Sequence, residues 1–161
     1  MGSSTKIRLI HAGGYDPRVQ ENIEHLQELQ AIADECKVDV TFVQSISDHK
    51  KLTLLNSCDC LLYTPSGEHF GIVPLEAMYC KLPVSAVNDG GPTETVVDGE
   101  TGFLVESSPD GFAEAMRKMV EGGTEMKRRF GEAGNRRVRD NFSFGAFTEN
   151  LNNVITSVLL K

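Results

Sequence analysis

The sequence has no tryptophan, only 7% aromatic residues and no excess of positive charge. Its 16 lysines and arginines stand against 23 aspartates and glutamates, a net charge of −7. An acidic balance excludes a bulk nucleic-acid or anionic-membrane surface, because counterion release requires a basic face. Any recognition of phosphate has to be local. No run approaches the roughly 20 consecutive apolar residues of a membrane span. The start, Met1-Gly2-Ser3-Ser4, lacks the charged and then apolar order of a secretory signal, so residues 1–5 read as a leader ahead of one domain over 6–161. There is no HExxH, no Walker loop, no GxSxG elbow and no GxGxxG after a strand. Those absences weigh against a zinc enzyme, an NTPase, a hydrolase and a dehydrogenase.

Cysteine is scarce as well. Cys36, Cys58, Cys60 and Cys80 match neither paired CxxC knuckles nor a small disulfide framework. They read as reduced, mostly core thiols in a cytosolic setting.

What is present is a chain of 161 residues, 40% hydrophobic and 24% charged, sized for one globular domain. Strand-like and helix-like runs alternate. Strands are expected at 6–12, 38–43, 60–64, 82–87 and 101–105. Helices are expected from Asp16-Pro17 to about Cys36, after Ser47, over Ile72–Tyr79, and in three stretches that close the chain: 109–120, 125–141 and 144–160. Alternation with mostly apolar strands implies a parallel sheet covered on both faces, hence a three-layer, doubly wound α/β fold.

The most informative segment runs from Pro65 to Glu76, PSGEHFGIVPLE, between a strand end and a helix start. Open parallel sheets bind ligands at that place. Free amides at Phe70, Gly71 and Ile72 can face phosphate oxygens. Glu68 and Glu76, with seven residues between them, suit the hydroxyls of a sugar or a ribose diol. The plainer alternative makes Glu68 an exposed loop residue and Glu76 a helix-dipole partner. Asn88-Asp-Gly-Gly-Pro-Thr-Glu94 forms a second strand-to-helix turn, in which Gly90 and Gly91 allow close packing against a ligand. Ser45-Ile46-Ser47-Asp48 follows the second strand and is open both to base recognition and to helix capping.

Glu68-His-Phe-Gly-Ile-Val-Pro-Leu-Glu76 resembles the E-x7-E signature of the family-four retaining glycosyltransferases of the GT-B fold. Ala12-Gly-Gly-Tyr-Asp16, Leu62-Tyr-Thr-Pro-Ser66, Ala86-Val-Asn88, Gly90-Gly-Pro92 and Thr101-Gly-Phe-Leu104 extend the likeness. They make the chain similar to members that mannosylate dolichol-linked glycans at the cytosolic face of the endoplasmic reticulum. The resemblance implies a Rossmann-like donor-binding half of such an enzyme, partnered by a second GT-B domain and a lipid-linked acceptor. It also implies GDP-mannose as donor, retention, and no essential metal or nucleic-acid partner.

By position, Glu76 would hold the donor ribose and Glu68 the mannose hydroxyls, Glu68 being the catalytic candidate. Phe70, Gly71 and Ile72 would face the diphosphate, and Ile46, Asp48 and Lys51 the guanine. Ser66, Gly90 and Gly91 would complete the donor site. The family's Arg/Lys pair, on a strand ahead of Gly13-Gly14, has no counterpart. Such cations stabilise the leaving diphosphate, so the chain alone is expected to be inactive and to bind GDP-mannose weakly. Without that strand, the first and third strands are expected to pair, giving the order 2-1-3-4-5; an open gap or a strand from another chain is the alternative. Two other functions stay open: a flavodoxin-like binding or regulatory module, and a family member using another sugar nucleotide.

Overall fold

The fold is given by a computed structural model that describes residues 6–159. The leader expected at 1–5 and the last predicted helical position, Leu160, lie outside those residues. Five strands and six helices alternate as β1 (Leu9–Gly13), α1 (Gln20–Cys36), β2 (Val40–Gln44), α2 (Asp48–Ser57), β3 (Leu61–Tyr63), α3 (Ile72–Tyr79), β4 (Val84–Val87), α4 (Pro92–Thr95), β5 (Gly102–Val105), α5 (Pro109–Asn141) and α6 (Phe144–Leu159). The chain divides between Thr53 and Leu54 into two compact units.

In the first unit β1 and β2 pair in parallel, Leu9 opposite Val40 through Gly13 opposite Gln44, with α1 as the crossover. The predicted start of α1 at Asp16-Pro17 is corrected. The Asp16 carboxylate accepts from the Arg18 amide at 2.9 Å and from its guanidinium at 2.7 Å, and the Val19 amide donates to the Asp16 carbonyl at 3.0 Å. That self-contained turn uses up the cap, and Gln20 becomes the first helical residue. The helix stops at Lys37, which takes a left-handed conformation (φ 54°) and returns its amide to Ala33 and Asp34.

In the second unit β3, β4 and β5 form a parallel sheet in that order, with Leu61 opposite Val84 and Val84 opposite Gly102. All four residues of β4 are buried. Met78 and Ala77 of α3 pack with Val84, Ala86 and Leu82 to form the core. The two glycines of α5 at 131 and 134, three positions apart, let that helix come against the Lys81 backbone and Met78. Ser108 caps α5 through the Gly111 amide at 3.1 Å, and Gly123 (φ 57°, ψ −154°) breaks it where two helices were predicted.

Three further expectations need correction. The described strands form two sheets, and no ladder joins β1 to β3, so the order 2-1-3-4-5 does not occur. With β3 only three residues long, such a ladder would offer few bonds, each worth about 1 kcal/mol net. Coverage on both faces holds for β4 but not for β1 and β2, neither of which contains a fully buried residue. The four cysteines are free as expected, yet Cys36 is exposed and the others are half-buried rather than core. Cys36 sits on the last turn of α1, a helix with no buried residue.

Candidate functional site

The site is built in the second unit from two strand-to-helix connections, the loop from β3 to α3 and the turn from β4 to α4. Apolar β3 and β4 lie side by side, so the segments leaving their carboxyl ends emerge together. Three bonds join them to each other and to the sheet. The Gly91 amide donates to the Glu68 carbonyl at 2.8 Å, the Gly67 amide donates to Asp89 Oδ2 at 2.8 Å, and the Tyr63 hydroxyl donates to Glu68 Oε2 at 3.4 Å.

Gly90 and Gly91 make that closeness possible. Gly90 has φ +56°, and a Cβ on either residue would overlap loop backbone, the Glu68 carbonyl oxygen in one case and the Phe70 carbonyl in the other. The space cleared by their missing side chains is therefore filled by the loop itself.

Gly71 ends the loop at φ +70° and starts α3 with no side-chain hydrogen bond capping the helix. The apolar run Ile72–Leu75 with Pro74 in the first turn then fixes the helix. The aligned peptide dipoles give that end a partial positive charge, a setting that favours an anion. Gly71 itself is buried, with exposed neighbours: Phe70 is 43% and Ile72 62% exposed, Ser66 and His69 are exposed, and Glu68 is half-buried. Glu76, one turn further along α3, is also half-buried, and its Oε2 is screened from solvent. The Phe70 ring lies 6.3 Å from the Phe142 ring, and Arg137 sits 5.7 Å over that second ring. Arg137 also donates to the carbonyls of Thr95 at 2.8 Å and Glu94 at 2.7 Å, closing the end of α4. Burial, with the Glu68 charge beside it, pushes the Tyr63 phenol above its ordinary range.

The remaining candidates belong to the first unit. Ser47 Oγ accepts from the Lys50 amide at 3.4 Å, so it caps α2 as expected. Asp48 is exposed in the first turn and lies 3.9 Å from Lys51 Nζ, and Ile46 is half-buried. Two shallow clefts occur elsewhere, one lined by Phe103 and Lys118 and one by His11, Tyr15 and Phe42. Neither cleft includes the Glu68–Ile72 segment. Among the described residues no cluster of histidine, cysteine or acidic side chains could hold a metal ion, and no helix is long and apolar enough to cross a membrane.

Tyr63, Asp89 and Arg137 did not stand out in the sequence as site residues. Asp89 carries a signal, an aspartate opening a Gly-Gly turn. Tyr63 reads as one more strand aromatic. Arg137 lies 42 residues from its carbonyl partner on Thr95, beyond any local pattern.

Parallel strands with an uncapped helix start flanked by two glutamates fit the class of enzymes that handle activated sugars. Residues 3–137 match the family of group 1 glycosyl transferases, and the chain belongs to it. That membership sets aside the flavodoxin-like alternative. Among relatives, the human protein named alpha-1,3/1,6-mannosyltransferase ALG2 is 50% identical over 157 residues, covering 96% of this chain and 38% of the relative. The Dictyostelium discoideum protein of the same name is 49% identical, covering 93% of this chain and 36% of its own length. The chain thus spans well under half the length of these relatives. Among solved structures, sucrose-phosphate synthase from Thermosynechococcus elongatus superposes with a TM-score of 0.80 at 29% identity, covering 95% of this chain and 39% of that one. The C-terminal domain of the group 1 glycosyl transferase LpcC from Francisella tularensis gives a TM-score of 0.70 at 18% identity, covering 85% of this chain and 87% of that one. The latter likeness concerns the fold alone.

Proposed function

We propose that this chain is the donor-binding part of a retaining mannosyltransferase that takes mannose from GDP-mannose and passes it to a dolichol-linked glycan at the cytosolic face of the endoplasmic reticulum. The observation that carries the reading is the α3 entrance, where a helix start with no side-chain cap, buried at Gly71 and exposed at its neighbours Phe70 and Ile72, lies between Glu68 and Glu76. A diphosphate suits the amides of Phe70, Gly71 and Ile72, because they present fixed donors and a positive dipole end. A carboxylate suits vicinal hydroxyls, because it accepts several hydrogen bonds while ionised. In this reading Glu76 takes the ribose and Glu68 the mannose hydroxyls, where it steadies the sugar as the bond to phosphate breaks. Gly90 and Gly91 serve by holding the loop, and Ser66 lies on the same exposed stretch. Ile46, Asp48 and Lys51 are proposed for the guanine on the strength of the resemblance. The mannosyltransferase names of the relatives support the choice of sugar.

A thermal-shift panel tests the reading. GDP-mannose and GDP are expected to raise the midpoint of this chain, with UDP-glucose and FMN without effect. A shift with UDP-glucose alone would replace GDP-mannose by another sugar nucleotide, and a shift with FMN alone would overturn the donor site.

A further inference from the structure

Glu68 is fixed through its backbone by Gly91 and through its side chain by Tyr63. Tyr63 is the last residue of β3 and pairs with Ala86 of fully buried β4. Its ring packs on the core cluster, so the phenol oxygen is presented from a rigid base. The loop is shaped around that oxygen. A Cβ at Gly71 would stand 2.9 Å from it and 3.3 Å from Glu68 Cγ, at a φ of +70° that side chains rarely adopt. Glycine at 71 therefore leaves room for phenol and carboxylate to meet.

We propose that Tyr63 is a positioning residue for Glu68, its hydroxyl donating to Oε2 and turning the carboxylate so that Oε1 is left to accept a hydroxyl of the donor sugar. This rests on the reading of Glu68 as the sugar-facing carboxylate. A donor held to one oxygen fixes the plane of the carboxylate and the direction in which its other oxygen faces. It also removes side-chain freedom before the ligand arrives, so less ordering is required on binding. Tyr63→Phe keeps the ring and its packing and deletes only the donor.

The test uses the 161-residue chain with its three tyrosines labelled at Cζ and titrated by carbon NMR. The Tyr63 signal, assigned by its loss in Tyr63→Phe, is expected to titrate above the usual tyrosine range and to fall in Glu68→Gln. A phenol titration that Glu68→Gln leaves unchanged would overturn the pairing. Calorimetric titrations with GDP-mannose and GDP supply the functional arm. Tyr63→Phe is expected to lose about tenfold of the preference for GDP-mannose over GDP, with GDP affinity unchanged. If Glu68→Gln abolishes the preference while Tyr63→Phe retains it, the positioning role is wrong although the Glu68 reading stands. If the parent chain shows no preference, the Glu68 reading fails and takes this proposal with it.

Discussion

The amide of Gly91 donates to the carbonyl of Glu68 at 2.8 Å, and the conformation of Gly90 between them (φ +56°) leaves no space for a side chain. The turn after β4 thus acts as a seat for the loop after β3. Gly90→Ala would force a Cβ into the Glu68 carbonyl and strain a left-handed backbone, together costing about 1–3 kcal/mol. The expected outcome is a lower thermal midpoint and weaker GDP-mannose binding, read by calorimetry and titration of the same preparation. An alanine at Gly13, which has nothing within 4 Å of the added carbon, is the control and is expected to change the midpoint little.

Asp89 holds the other end of the loop through its 2.8 Å bond from the Gly67 amide. Asp89→Ala removes the acceptor while both residues remain exposed, so water replaces it and global stability changes by less than about 1 kcal/mol. The loop itself is expected to loosen. Hydrogen exchange should show the Gly67 amide losing protection while the amides of β4 keep theirs; unchanged exchange at Gly67 would remove Asp89 from that role.

Much of this arrangement was legible in the chain because its causes are local. Gly71, Pro74 and an apolar run set α3 at Ile72–Tyr79, as predicted, and the pair Gly122-Gly123 marked the break in α5. Strand-to-helix alternation gave the parallel α/β class. Lateral strand order was not legible, because pairing of β1 with β2 and of β3 with β4 is decided by contacts across the sheet rather than by neighbours in sequence. The start of α1 was missed because Asp16 offers its carboxylate equally well to a turn and to a cap, and Arg18 decided the matter. Within the site, Glu68 and Glu76 were visible through their spacing. The bonds that hold the loop and the end of α4 were not, since Gly67 meets Asp89 across 22 residues and Thr95 meets Arg137 across 42.

Cys60 gives the fold a dependence on alkaline pH. Burial pushes its thiol up to about 11, the bond to Ser85 opposing only part of the shift. In the unfolded chain a thiol ionises near 9, so the folded form is the one that keeps its proton. The stability contributed is complete below about pH 9 and is lost as pH rises toward 11. Denaturation at a series of pH values should show stability falling through that window. Cys60→Ala, compared with the parent at each pH, should flatten the slope; an equal slope in both would mean that other groups, such as the raised Tyr63 phenol, carry the effect.

The two glutamates are expected to separate by ligand. Glu76, proposed for the ribose, touches a part common to GDP and GDP-mannose, so Glu76→Ala should weaken both by about ten- to a hundredfold, the worth of hydrogen bonds to a charged group. Glu68, proposed for the sugar, should matter for GDP-mannose alone, and Glu68→Ala should bring its affinity down to that of GDP. Because the reading asks the amides of Phe70, Gly71 and Ile72 to meet the diphosphate without a metal, EDTA should leave every affinity unchanged. Titrations of the parent and both variants against both ligands, with and without chelator, check all three statements. Equal losses for GDP and GDP-mannose in Glu68→Ala would move that residue from the sugar to the nucleotide. A chelator-dependent affinity would return the diphosphate to a bound cation. Unchanged binding in Glu76→Ala would assign that half-buried carboxylate to the helix it stands on.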